Sequence, residues 1–471
     1  MAARNRDRNC QAVQANGILL RAGIDMSSQE PIAIGQDATL RRADHRVNTR
    51  DQTVAFLLLF AATSAVGVSP MQASYVLALA CWLATIAITR GREGWRPNPL
   101  LTPLLALAVA GAIAAALSID PGQSFKGVKQ LGMIALILVV GNSLRSRREV
   151  MALVLTWLAG ATVVSLYAVC QYIQGAERVH AFFDGPMTLV RILVLVTALG
   201  IAVFVTARGR VRLVALACLV STVPALLLTF SRAGWLTLCV VAFFVGILRR
   251  SRIVLGGAAL AVCLAVGCAV AYPQTTTGSL LRSIVRPMDP ALHRFGESTF
   301  QRVWMYRAAW QVFLDHPVAG VGQRNFGNVY GRHIPEELRN PDTHLDEGTV
   351  YTGFSHAHSL YLNLLATQGL LGLAAFLWLI VAAVRLAWRN WRRAQDEFLR
   401  AVSLGILAAI VAFLTMGLID ENSRDSESIA QLWFLLGLAA ALHRIIPTDP
   451  PAPVTQEADG LTDATPMGTH A

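Results

Sequence analysis

Long apolar runs alternate with short polar connections along most of the chain. Leu, Val, Ala and Ile dominate residues 52–69, 72–89, 99–118, 128–142, 150–173, 187–207, 211–230, 234–249, 253–272, 358–384, 400–419 and 428–446. About 20 apolar residues in a helix cross the hydrocarbon of a bilayer. The pattern therefore predicts an all-α polytopic membrane protein with about 12 transmembrane helices. Only 15% of the 471 residues are charged and 54% are hydrophobic. A soluble domain carries about 25% charged residues, so a soluble fold is excluded.

The connections set the orientation. Arginines cluster at 90–96, 145–148, 208–212, 249–252 and 385–400, which are the even-numbered connections. Positive charge in short loops marks the cytoplasmic side, so both termini are expected in the cytoplasm. Residues 1–50 form a polar cytoplasmic tail with eight arginines and no apolar core for a secretory signal. Residues 51–272 hold helices 1–9, residues 273–357 one long periplasmic loop with short helices, and residues 358–446 helices 10–12. Residues 447–471 form a second cytoplasmic tail, and both tails are expected to be disordered. The net charge of +11 would suggest nucleic acid in a soluble protein. Here it lies largely in the inner loops, so no nucleic-acid partner is expected. The seven cysteines have no C-x-x-C spacing and avoid long outer loops. No disulfide and no metal site is expected from them.

Arginine on the outer face runs against this charge rule. Arg178 lies in "QGAERVHAFFDGP", Arg232 in the tight connection "TFSRAGWL", and Arg191 about one turn inside the helix that follows Pro186. The long loop adds more, among them Arg302. Interfacial Arg is costly unless it snorkels or meets an anion, and it binds phosphate in a planar, bidentate way. Arg178 and Arg191 admit either a lipid-headgroup or an anion-site reading, and Arg232 favours the anion site.

The stretch "FSHAHSLYLNLLATQGLLGLAAF" opens the helix after the long loop. On a helix, residues two apart point to different faces, so His356 and His358 are expected not to chelate a metal together. Ser355 is the expected helix cap, with His358 in the first turn. Gly369 and Gly372 offer a small surface for helix packing. A neutral imidazole at the water interface can accept a proton from a hydroxyl. Local chemistry leaves His358 open between a helix cap and a general base.

"SHAHSLYLNLLATQGLLGL" resembles the signature of the O-antigen ligase and polymerase superfamily, with His358, Ser359, Gly369 and Gly372 at the matching positions. "TFSRAGWL" resembles that family's Ser-Arg block, with Arg232 as the arginine. "QRVWMYRAAWQVFLDHPVAGVGQRNFG" resembles its Arg block and Pro-x-x-Gly-Val-Gly turn through Arg302, Pro317, Gly320, Val321, Gly322 and Phe326. "ERVHAFFDGP" resembles a further Arg-containing block, with Arg178. Ser359 stands where Asn is commoner, and Tyr306 where Trp is usual.

The resemblance implies an O-antigen ligase of the bacterial inner membrane. Its donor would be a preassembled glycan on undecaprenyl pyrophosphate, and its acceptor a sugar hydroxyl of lipid A–core, with membrane lipids around both. His358 would be the catalytic base. Arg232, Arg302, Arg178 and Arg191 would hold the pyrophosphate, without cofactor or metal. A polymerase or a protein O-oligosaccharyltransferase of the same superfamily is the alternative, and a transporter of an anionic lipid or solute is the alternative from another class. A polymerase would commonly carry two large outer loops with Arg-x10-Gly patterns, and this chain has one large loop without that pattern. A transporter would usually carry an internal repeat, and none is detected.

Overall fold

The computed structural model describes residues 49–271, 293–333, 356–423 and 425–447. The two predicted tails, apart from residues 49 and 50 and Pro447, lie outside them, as do Ser355 and the loop arginines 282, 286 and 339.

The described residues form helices and no strand. In chain order these are α1 (49–63), α2 (Val68–Thr89), α3 (Leu101–Ala116), α4 (Pro121–Leu131), α5 (Ala135–Ser143), α6 (Arg147–Ile173), α7 (Pro186–Thr206) and α8 (Gly209–Leu228). Then follow α9 (Arg232–Arg249), α10 (Arg252–Ala271), α11 (His293–Asp315), α12 (Phe326–Val329), α13 (Leu360–Arg393), α14 (Glu397–Ile419) and α15 (Ser426–Ile445). Among the described residues, nine helical segments are long and apolar enough to cross a membrane. Helix α3 and the stretch Arg252–Cys263 are apolar but shorter. The long loop was expected to hold short helices. Its described residues hold the four-residue α12 and a short 3-10 turn at Tyr330–His333, together with a longer helix, α11, of 23 residues.

Helices α7, α14 and α15 are buried along most of their lengths. Small residues let them approach, because lipid supplies no hydrophobic drive between helices. A Cβ on Gly405 of α14 would meet Leu199 Cδ1 of α7 at 2.2 Å. One buried polar knot ties α6 and α15 to the residue just after α1: Gln431 accepts from Trp157 Nε1 at 2.7 Å and donates to the Ser64 carbonyl at 2.9 Å. Every polar atom in that knot would be costly to strand in an apolar interior.

The connections segregate into two ends. At one end the arginine loops touch each other. Arg145 donates to the Glu93 carbonyl at 3.2 Å, Arg147 pairs with Asp396 at 2.8 Å, and Arg208 with Glu397 at 3.4 Å. The opposite end carries His358. With the arginine end inside, Gln174→Cys, at an exposed site of the His358 end, is expected to react with a membrane-impermeant thiol reagent in intact spheroplasts of a cysteine-free background. Gln395→Cys, exposed at the arginine end, is expected to stay unlabelled until the membrane is opened. The reverse pattern overturns the orientation.

Helix α13 is broken near its start. Gly369 has φ 63° and ψ −162°, a conformation open essentially to glycine alone. The turn Pro317–Gly322 fits into the break. Val321 N donates to the Ala366 carbonyl and Gly322 N to that of Thr367, both at 2.9 Å. In return, Leu370 N donates to the Pro317 carbonyl at 2.9 Å and Leu371 N to that of Val318 at 3.3 Å. Backbone groups freed by a break must find partners where no water reaches, and the loop provides them. The expected role of Gly369 in helix-on-helix packing is thus corrected: its close neighbour is loop backbone, with Val318 O 2.2 Å from where a Cβ would sit. A second clamp holds the same turn, because Asn325 is fully buried and donates to Asp120 O, Ser124 Oγ and Val321 O.

Candidate active site

The stitched turn brings α11 over the histidine segment. Tyr306 of α11 donates from its hydroxyl to the His358 carbonyl at 3.2 Å. Helix α13 begins at Leu360 with Ser359 at its cap position, so both histidines precede it. The expectation of a helical His356–His358 spacing is therefore corrected. His358 has φ 50°, a left-handed conformation that a non-glycine residue adopts at a cost of roughly 1–3 kcal/mol. This bend folds the two imidazoles together, with ring centroids 4.3 Å apart. Asn363 holds the bend from below by accepting from Ala357 N at 3.3 Å.

Asp420 stands behind His358. It follows α14, is 2% exposed, and places Oδ1 3.8 Å from His358 Nδ1. That gap is longer than a hydrogen bond, so the contact is an electrostatic pair that tightens if the ring gains a proton. Arg191 grips the other oxygen, with Nε and Nη2 2.8 and 2.7 Å from Oδ2. Its Nη1 pairs with Asp425, which also accepts from Thr188 Oγ1 at 2.8 Å. Burial works to raise the Asp420 carboxyl, but His358, Arg191 and Arg302 together hold it well below the usual carboxylate range. Asp420 is thus an anion fixed in place. Along the chain, residues 420–428 read only as an acidic connection. A carboxylate cluster on a face otherwise rich in arginine was the available signal.

Of the expected cation group, three members converge. Arg302 of α11 and Arg178 both act electrostatically on Arg232 at the start of α9. Ser231 caps α9 by accepting from Gly234 N at 3.3 Å, and Phe230 before it adopts φ 52°. Arg178 reaches the same corner, donating from Nε to the Thr229 carbonyl at 2.9 Å. Like charges near one another repel, and an anion placed between them relieves that repulsion. The fourth, Arg191, is 7% exposed and engaged by two carboxylates.

His356, His358 and Asp420 present three possible metal-ligand atoms within 4.8 Å of one another. The surrounding charge works against a dication there, because Arg191 occupies one Asp420 oxygen and Arg302 acts on the same carboxylate.

Glu421, next in the chain, is fully buried, and burial pushes its carboxyl up to about 7 despite hydrogen bonds from Ser423. The folded state keeps this proton between the ordinary value of 4.5 and about 7, whereas the unfolded state has released it. Stability should therefore fall as pH rises through that interval. The melting temperature of Glu421→Gln should lose this part of the wild-type slope, and identical slopes would count against a buried, protonated Glu421.

Residues 216–377 match the family model described as O-antigen ligase. The match runs from α8 into α13 and includes Arg232, Arg302, the stitched turn and His358. No curated protein matches the chain.

Proposed function

We propose that this chain, whose residues 216–377 match the O-antigen ligase family model, is an O-antigen ligase that transfers a preassembled glycan from undecaprenyl pyrophosphate to a sugar hydroxyl of lipid A–core. It acts at the periplasmic face of the inner membrane, with about 12 crossings and both termini inside. The observation that carries this reading is His358, bent towards His356 by a left-handed backbone, with a buried carboxylate behind it and three arginines grouped nearby.

His358 takes the proton of the accepting hydroxyl as its oxygen attacks the anomeric carbon. The bond from that carbon to the pyrophosphate oxygen breaks, and the lipid pyrophosphate leaves with the electron pair. Asp420 stabilises the imidazolium that forms. Arg232, Arg302 and Arg178 neutralise the departing diphosphate. Attack opposite the leaving group inverts the anomeric centre. Arg191 contributes by holding Asp420 in register, a role its double ion pair favours over direct phosphate contact.

The test is a lipopolysaccharide gel of a strain with and without this gene. Loss of the whole ladder, including the band with one repeat, is expected. Retention of that band would make the protein a polymerase instead. Guanidinium groups are well suited to the charge neutralisation, so purified protein should keep full transfer activity in excess EDTA. Activity lost to EDTA and restored only by a divalent ion would end the arginine-based mechanism.

A further inference from the structure

A cavity of about 470 Å³ adjoins the histidine pair. His356 lines it, as does Asp425, which shares Arg191 with Asp420. None of Arg178, Arg191, Arg232 and Arg302 is in its wall. Its wall carries one arginine, Arg324, and is dominated by side-chain amides from four separate segments: Gln123, Gln323, Asn328, Asn363 and Gln368. Its floor is apolar, with Leu107, Phe376 and Trp433. Glu421 also faces it, fully buried, and Glu421 Oε2 has no hydrogen-bond partner among the described residues.

A buried polar atom left unmatched is costly, and its presence in a cavity wall points to a ligand that matches it. Amides both donate and accept, as sugar hydroxyls do. An apolar floor suits the C–H face of a pyranose ring. The Asp425 carboxylate offsets the single Arg324 in this wall, so an anionic ligand would lack the grouped arginines found elsewhere in the site. The chemistry selected is a neutral, hydroxyl-rich sugar.

We propose that this cavity is the acceptor subsite, holding the sugar of the acceptor that carries the reacting hydroxyl. The proposal rests on the ligase reading above. It divides the site into an arginine side for the donor diphosphate and an amide side for the acceptor ring, with the histidines between them. Glu421, protonated near neutral pH, donates to a ring hydroxyl rather than repelling it. A site built on such hydrogen bonds discriminates strongly against acceptors that lack the matching hydroxyl.

The experiment uses full-length protein in lipid nanodiscs, with Gln123→Leu, Gln323→Leu and Glu421→Leu beside wild type. Initial rates are measured against donor and acceptor separately. Each substitution is expected to raise the acceptor KM roughly tenfold and to leave the donor KM unchanged. The second measurement is calorimetric binding of core oligosaccharide freed from lipid A, without donor: the wild type should bind it, and the variants should bind more weakly. An unchanged acceptor KM, or a rise in donor KM alone, overturns the proposal while leaving the ligase reading intact. If the wild type transfers no glycan to lipid A–core, both fall together.

Discussion

His358→Ala should fold, bind the lipid pyrophosphate donor, and transfer glycan about 10²–10⁴-fold more slowly than wild type, the usual cost of losing a general base. The backbone around it explains why this position is so sensitive. A left-handed residue at 358 is held by the Tyr306 hydroxyl on its carbonyl, by Asn363 beneath, and by Asp420 beside its Nδ1. Alanine keeps the bend but removes the proton acceptor. Arg232→Ala should differ in kind. It lies with Arg302 and Arg178 at the anion corner, so it should lose donor binding and transfer together. His356→Ala should fall between wild type and His358→Ala, because its ring packs on His358 at 4.3 Å and helps hold that ring. Donor binding, initial rates and thermal melts of the three purified variants separate these outcomes. Near-normal turnover by well-folded His358→Ala would remove this histidine from the mechanism.

Gly369→Ala should be the most destructive substitution outside the charged groups, lowering stability by roughly 3 kcal/mol or more and abolishing transfer. A Cβ at 369 would sit 2.2 Å from Val318 O and 2.3 Å from Val318 C, both backbone atoms with no room to move, and φ is positive. Relieving the clash means opening the four hydrogen bonds between the 317–322 turn and the broken helix. Those bonds hold the loop whose helix carries Arg302 and Tyr306. Gly320→Ala should behave alike, since its Cβ would meet Thr367 C at 2.4 Å. Gly175→Ala is the control, having positive φ but nothing within 4 Å, and should cost only the conformational part, about 1 kcal/mol. Thermal melts and transfer rates of the three variants measure this. Gly369→Ala with wild-type melting and turnover would mean that the stitch does not organise the site.

Much of this was open to sequence reasoning. Hydrophobic runs dictate membrane helices because unpaired backbone is too costly in lipid to permit other structure, and helix covers most of each predicted run. The alternation of arginine loops divides the connections into two ends, since each crossing must reverse direction. The motifs with His358, Arg232 and Arg302 lie within the matched family region. What no linear pattern contained was partnership across distance. Asp420 lies 62 residues beyond His358 in the chain, in a connection with no distinguishing motif, and only the packing of α14 against α7 brings it to Arg191 and the imidazole. Arg191 reads as a phosphate ligand along the chain because its carboxylate partners, Asp420 and Asp425, come from a loop more than 200 residues away. The two histidines read as helical because periodicity cannot register a left-handed turn at one residue before a helix. The break at Gly369 was invisible for the same reason: apolar residues continue through it, and its hydrogen bonds come from a loop about 50 residues upstream. Local chemistry writes the elements and the residue types. Ion pairs, stitched backbone and the cavity beside His356 depend on which elements meet, and that is decided by packing alone.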